Sequence, residues 1–252
     1  MKASPAQRSL KGKTAWITGG KRIGQEIAAA LAALGADLAV SYRSSEKEAL
    51  ELVDKLKKLN KLNNFLILQC DTSDRKSVEE AVNKIRQEFG KLDILIELAS
   101  IFKPVKLTDI KEADWDANFA VHVKGSFWPI QSSLPLMPSG SHIITISDRT
   151  AVNRSYPGYL PYVVTKSAVV ALTKALAVEL GPKGIFINAI APGPVLKPDD
   201  IGEEDWREIR AESIVKHPIT DTEAVMEFVD TVVRLCFVRS SGSIYPLDFG
   251  HL

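Results

Sequence analysis

Residues 14–31 read TAWITGGKRIGQEIAAAL. The first five are a short apolar run rich in strand formers, and Gly19 and Gly20 then turn the chain. From Ile23 to Leu34 apolar residues recur at helical spacing, and Gly35 supplies a C-cap. A strand that enters a helix through a glycine turn leaves free backbone N–H groups and the positive dipole end at the strand's carboxyl edge. A pyrophosphate binds well there. Gly24 permits close backbone approach at the helix start, and Lys21 and Arg22 add charge. The competing reading is a tight turn with two solvated bases; its place after the first strand favours a nucleotide.

The same alternation continues outward. Strands are predicted at 37–42, 64–70 and 92–98, with helices over 45–59 and 74–89, the latter ended by Gly90. Two further helical stretches precede a strand at 142–147, a long helix over 159–180 and a strand at 185–191. Residues 243–250, SIYPLDFG, form the last predicted strand. The strands are continuously apolar, as in a parallel sheet buried on both faces. No linker divides the chain. The fold expected is α/β, one Rossmann-type doubly wound parallel sheet flanked by helices, with residues 1–252 as a single domain.

Composition is that of a soluble globular protein: 252 residues, 45% hydrophobic and 25% charged. A net charge of +1 gives no footprint for nucleic acid. Cys70 and Cys236 stand far apart without a CxxC pair, which fits a reduced compartment. The opening MKASPAQRSLKGK has no apolar core of a leader, and no run approaches a membrane span, so a cytoplasmic protein is expected. His142, His217 and His251 lack metal-ligand spacing, and no metal is expected.

Cofactor preference is read at the end of the second strand. Ser41-Tyr42-Arg43-Ser44-Ser45 contains no carboxylate to hold the 2′-hydroxyl of NAD. Arg43 can bind a phosphate bidentately and Ser44 can donate a hydroxyl. With Lys21, Arg22 and Arg43 converging, NADP(H) is the expected cofactor. Asp71, after the third strand, is placed either near an adenine or as a helix N-cap.

Tyr162 and Lys166 lie four residues apart on the long helix and share one face. An ammonium near a phenol favours phenolate, which makes the tyrosine a usable general acid or base near neutral pH. Together TGGKRIG (18–24), Asp71, ELAS (97–100), YVVTK (162–166) and Pro192-Gly193 resemble the short-chain dehydrogenase/reductase family over nearly the whole chain. The resemblance implies that Tyr162 gives a proton to a reduced carbonyl or imine while Lys166 holds the nicotinamide ribose. It also implies cofactor contacts at Gly19, Lys21, Arg22, Ile23, Ala99, Ser100, Pro192 and Gly193. Within the family the chain looks most like pteridine reductases, through Arg22, Ser100, Phe102, Asp148 and the run Gly158-Tyr159-Leu160-Pro161-Tyr162. By that likeness Asp148 is catalytic, Phe102 stacks a flat ring over the nicotinamide, and Tyr159 joins it at the substrate.

The chain also departs from the family. Its glycine loop is one residue short of TGxxxGxG, with Ile23 where the middle glycine is expected. Glu97 and Leu98 replace two asparagines; a carboxylate at Glu97 would either accept from ribose hydroxyls or repel a phosphate. His122 stands where an asparagine helps relay protons, and the relay would then carry a histidine's pH dependence. Asp148 precedes Tyr162 by fourteen residues rather than thirteen, which leaves Asp148 and Arg149 as rivals for the site.

The helix after Tyr162 is apolar or small around most of its circumference, and a second subunit is expected on its outer face, giving a homodimer or homotetramer. Residues 194–217 correspond to the family's substrate lid. Its acids include Asp199, Asp200, Glu203, Glu204, Asp205, Glu208 and Glu212, against Arg207 and Arg210. Trp206 is its apolar anchor or a substrate contact. The leading expectation is an NADPH-dependent reductase of a small, flat, pteridine-like carbonyl or imine. A 3-oxoacyl thioester reductase and a non-catalytic NADP(H) sensor are the alternatives.

Overall fold

Seven strands form one parallel sheet in the order β3-β2-β1-β4-β5-β6-β7. They are β1 (Thr14–Thr18), β2 (Asp37–Tyr42), β3 (Phe65–Gln69), β4 (Ile94–Glu97), β5 (His142–Ile146), β6 (Phe186–Pro192) and β7 (Ile244–Leu247). The computed structural model describes residues 8–59, 62–153, 155, 157–198, 201–215 and 219–251. His217, Asp199, Asp200 and the first seven residues therefore lie outside the described residues.

Side chains alternate between the two faces, and both faces are buried. Ala15, Ile17, Leu38, Val40, Ile94 and Ile96 face α1 (Ile23–Ala33), α2 (Glu46–Leu59) and α8 (Asp221–Leu235). Trp16, Ala39, Leu68, Leu95, Ile143 and Ile187 face α3 (Arg75–Phe89), α5 (Gly125–Ser133) and α6 (Leu160–Leu180). This double burial explains the unbroken apolar runs, since a strand covered on both sides has no polar face to show.

The predicted elements are present, with differences at their ends. β4 is four residues, not 92–98, because Leu92 and Asp93 donate to Leu136 O and Thr14 O as the chain enters the sheet. The last strand stops at Leu247; beyond it Phe249 and Gly250 take φ of 55° and 79° and the chain turns back. Asp74, not Asp71, caps α3, accepting from Lys76 N at 3.1 Å. Helix α8 has no counterpart among the predicted elements, although Thr220 and Glu223 form a capping box at its start. Helices α4 (Glu112–Asn118) and α5 are joined through a π-helical turn, Phe119–Lys124, which holds His122 inside the molecule at 1% exposure. Such turns recur at functional sites.

Candidate active site

A cleft of about 900 Å³ opens at the carboxyl ends of the strands, where the order reverses between β1 and β4. Gly19, Lys21, Arg22, Ile23, Ala99, Ser100, Phe102, Asp148, Tyr159, Tyr162, Pro192, Gly193 and Trp206 all line it. A cavity of about 500 Å³ at the opposite ends, beside Lys13, Asp93 and His142, holds none of the predicted site residues.

The glycine turn is held against β2: Gly19 N and Gly20 N both donate to Ser41 O at 3.1 Å. A Cβ at Gly24 would lie 2.1 Å from Gly19 O, so only glycine lets the helix start this close to the strand. Arg22 precedes α1 with φ 56° and ψ −119°, a conformation that favours glycine and costs a larger residue about 1–3 kcal/mol. Its guanidinium donates to Lys197 O in the loop after β6. The three cations have different partners in the structure. Lys21 pairs with Glu48 of α2 at 3.3 Å, Arg43 and Ser44 lie exposed just past β2, and Arg22 crosses to the lid side. Asp71 accepts from Ser73 N and Ser73 Oγ at 2.9 and 2.6 Å.

Tyr162 lies in the first turn of α6 and Lys166 one turn further on, both buried. Tyr162 Oη donates to Asp148 Oδ2 at 2.8 Å, which settles the rivalry over the fourteen-residue spacing in favour of Asp148. The other carboxylate oxygen, Oδ1, accepts from Thr150 N and Thr150 Oγ1, both at 2.8 Å, so the side chain is held from behind. Arg149 also lines the cleft, but its guanidinium reaches His251 O at 3.4 Å. Lys166 Nζ donates to Ile146 O at 2.8 Å and lies 5.7 Å from the Tyr162 ring centroid. Burial lowers the Lys166 ammonium to a pKa of about 8, with Asp148 opposing the shift.

Glu97 plays neither of its expected parts. It points into the α3–α5 side of the sheet at 5% exposure, beside the Ser126 hydroxyl of α5. Burial raises its pKa well above the ordinary carboxylate value, with the Ser126 hydroxyl opposing, which favours the protonated form beneath the site. Phe102 stacks on Tyr159 at 4.3 Å and 15°, and meets Tyr162 edge-on at 4.9 Å. One face of Phe102 is therefore already covered by a second aromatic ring.

The lid side is anchored by Trp206, whose Nε1 donates to the Asp221 carboxylate at 3.0 and 3.2 Å. Arg210 donates to the same carboxylate at 2.7 Å and lies 5.0 Å from the Trp206 ring. Trp206 is thus anchor and cleft wall at once. The chain's end straps this segment down: Ile214 N donates to Gly250 O at 2.9 Å, and Ser213 Oγ to Phe249 O at 2.7 Å. A Cβ at Gly193 would sit 2.6 Å from Asp248 O, which is why the strap passes over a glycine. The sequence reading missed this strap, because its contacts join segments thirty to sixty residues apart and leave no local pattern.

A family model described as Enoyl-(Acyl carrier protein) reductase matches residues 19–249. The 3-oxoacyl-[acyl-carrier-protein] reductase FabG of Staphylococcus aureus is 33% identical over 227 residues, covering 88% of this chain and 90% of that protein. The hydroxynaphthalene reductase-like protein Arp2 of Metarhizium anisopliae is 34% identical over 202 residues, 79% of this chain and 74% of its own length. Among solved structures, a short chain dehydrogenase from Burkholderia cenocepacia in complex with NADP superimposes with a TM-score of 0.85 at 30% identity, over 96% of this chain and 98% of that one. With the glycine turn, the sheet order and the Tyr162–Lys166 pair in place, the chain belongs to the short-chain dehydrogenase/reductase family.

Proposed function

We propose that the protein binds NADPH and reduces a carbonyl or imine of a small, flat, bicyclic substrate of pteridine-like shape. The observation that carries this reading is the Tyr162 hydroxyl, presented at the cleft beside Asp148 and under the Phe102–Tyr159 pair. The cleft's residues suit the cofactor: Gly24 holds the backbone open at a helix amino end, and Lys21 and Arg22 match a pyrophosphate's charge. The likeness to a dehydrogenase solved with NADP supports the same choice. Arg43 and Ser44 would take the 2′-phosphate, and Lys166 would face the nicotinamide ribose.

Bound NADPH supplies a hydride. Tyr162 Oη holds the proton that goes to the substrate oxygen or nitrogen as negative charge develops there. Asp148 orients that hydroxyl and is the nearest group through which a replacement proton returns. Phe102 offers a flat apolar face, and the edge of Tyr162 fixes the distance between that face and the proton. The hydroxynaphthalene reductase-like relative is consistent with a flat bicyclic ligand. The FabG relatives favour a second reading, a 3-oxoacyl thioester reductase. The acidic first turn of α7 (Glu203–Ala211), with Glu203, Glu204 and Asp205, disfavours a polyanionic carrier at the lid.

NADPH oxidation should be followed with pterins, hydroxynaphthalene-type ketones, quinones and 3-oxoacyl thioesters. Turnover of a flat ring supports the first reading, turnover of thioesters alone supports the second, and tight NADPH binding without turnover points to a sensor. NADPH should bind about 10–100-fold more tightly than NADH, as charge-assisted bonds to one phosphate allow. The Arg43→Ala protein should lose most of that preference; equal affinities in the parent would sink the cofactor assignment.

A further inference from the structure

We propose that His122 is a positioning residue: as a neutral Nδ1–H tautomer it ties the loop that carries Phe102 to the helix that carries Tyr162, and it exchanges no proton during turnover. The inference rests on the reading of Tyr162 as proton donor and Phe102 as substrate contact. Its support is the hydrogen-bond geometry. Nε2 lies 3.2 Å from the Ile101 backbone N–H, a group that can only donate, so Nε2 must present its lone pair. Ser100 Oγ, 3.0 Å from the same nitrogen, can add a second donor. A neutral ring then carries its hydrogen on Nδ1, which lies 2.8 Å from Thr165 Oγ1.

Thr165 completes the assignment. Its hydroxyl oxygen is 2.9 Å from both Pro161 O and Tyr162 O, and carbonyls only accept. The threonine hydrogen goes to one of them, which leaves an Oγ1 lone pair for the Nδ1 hydrogen. One hydrogen-bond direction therefore runs from Ile101 through the imidazole and Thr165 to the first turn of α6. A second ring hydrogen would have to sit on Nε2, against the Ile101 N–H. The groups around the ring oppose that charge as well: burial first and the Lys166 ammonium second push its pKa down to about 3. Tyr162 meets the ring edge-on at 5.4 Å, so the imidazole also supports the tyrosine ring.

Histidine is long enough to span both partners. A glutamine amide reaches the place of Nε2 and can accept from Ile101, whereas an asparagine amide reaches the place of Nδ1 and can donate to Thr165. Each restores half of the tie. A role in proton relay instead predicts that asparagine, the family's residue, leaves activity unchanged or raises it.

The test uses the full-length protein labelled with ¹⁵N-histidine, with and without NADPH. The expected His122 signature is the neutral Nδ1–H tautomer from about pH 5 to about pH 9. An Nε2–H tautomer or an imidazolium within that range overturns the proposal. In kinetics on the substrate found above, His122→Asn and His122→Gln should each lower kcat about ten-fold and raise KM for the flat ring, with the pH–rate profile keeping its shape. A displaced profile, or parental kcat in both variants, also overturns it. The spectroscopic measurement needs neither substrate nor variant, so it decides the tautomer even if either variant fails to fold or the reductase reading fails.

Discussion

What distinguishes Tyr162 from an ordinary buried tyrosine is the asymmetry around its hydroxyl. The hydroxyl is bound by Asp148 at 2.8 Å while the side chain lines the cleft, so the proton is held at the wall of the cleft. Tyr162→Phe removes only that hydroxyl, and NADPH affinity should change little. The rate should fall about 10²–10⁴-fold if the hydroxyl is the general acid. Full activity in this variant on a confirmed substrate would remove Tyr162 from the mechanism. Lys166 adds a pH dependence of its own, since burial brings its pKa down to about 8. Below that pH it is an ammonium available to the ribose; above it the charge is lost. NADPH affinity in the parent should therefore weaken as pH rises through about 8, and Lys166→Ala should be weaker at every pH with that inflection gone. Fluorescence titration with NADPH across this range is the check, and an inflection that survives in Lys166→Ala would assign it to another group.

At the scale of the element, β4 carries an unusual load at its carboxyl end: Glu97, buried and pushed toward its protonated form. Because the folded pKa of Glu97 is raised, both states are protonated at low pH and the group costs nothing extra there. As pH climbs above the ordinary carboxylate range the unfolded chain releases a proton that the native chain keeps. Stability then falls by up to about 1.4 kcal/mol per pH unit until the folded pKa is reached. Glu97→Gln abolishes that slope, so urea unfolding should show a variant close to the parent near pH 5 and increasingly more stable toward pH 8. Parallel stability curves for the two proteins would show that Glu97 is not held in its protonated form. None of this was legible from ELAS, where Glu97 reads as a carboxylate facing the cofactor's ribose or phosphate, because the side of the sheet a residue faces depends on helices α3 and α5. The strands and the Tyr162–Lys166 pair were legible for a simple reason: two-sided burial and a four-residue helical spacing are written locally. Asp148 was ambiguous by one residue, and only the short turn Arg149–Ala151 resolves how the chain spends that extra residue. Arg22 was legible only as a charge; that its backbone and its bond to Lys197 O also join the glycine turn to the lid depends on a segment far away in the chain.

For the molecule as a whole, the feature left to account for is the outer face of α6. Its inner face is committed to the sheet and the site through Tyr162, Thr165, Lys166, Val169 and Thr173. The opposite face exposes Leu160, Val164, Ala171, Ala175 and Val178, the last at 76%, with Lys174 and Glu179 at its margins. Small and apolar side chains on an exposed stripe of this length permit close approach of a second helix, and burying them releases water. We predict a homodimer or homotetramer assembled through this face. Ala171→Asp or Ala175→Asp should split it, because an unpaired charge in a closed interface costs about 3–5 kcal/mol, while either side chain is tolerated in water on an isolated chain. Sedimentation should then show the parent as an oligomer and the variants as monomers with unchanged circular dichroism. Since the same helix holds Tyr162 and Lys166 on its other side, dissociation should also lower kcat more than it raises KM. A parent that sediments as a monomer at micromolar concentration would rule the interface out and leave the apolar stripe to another partner.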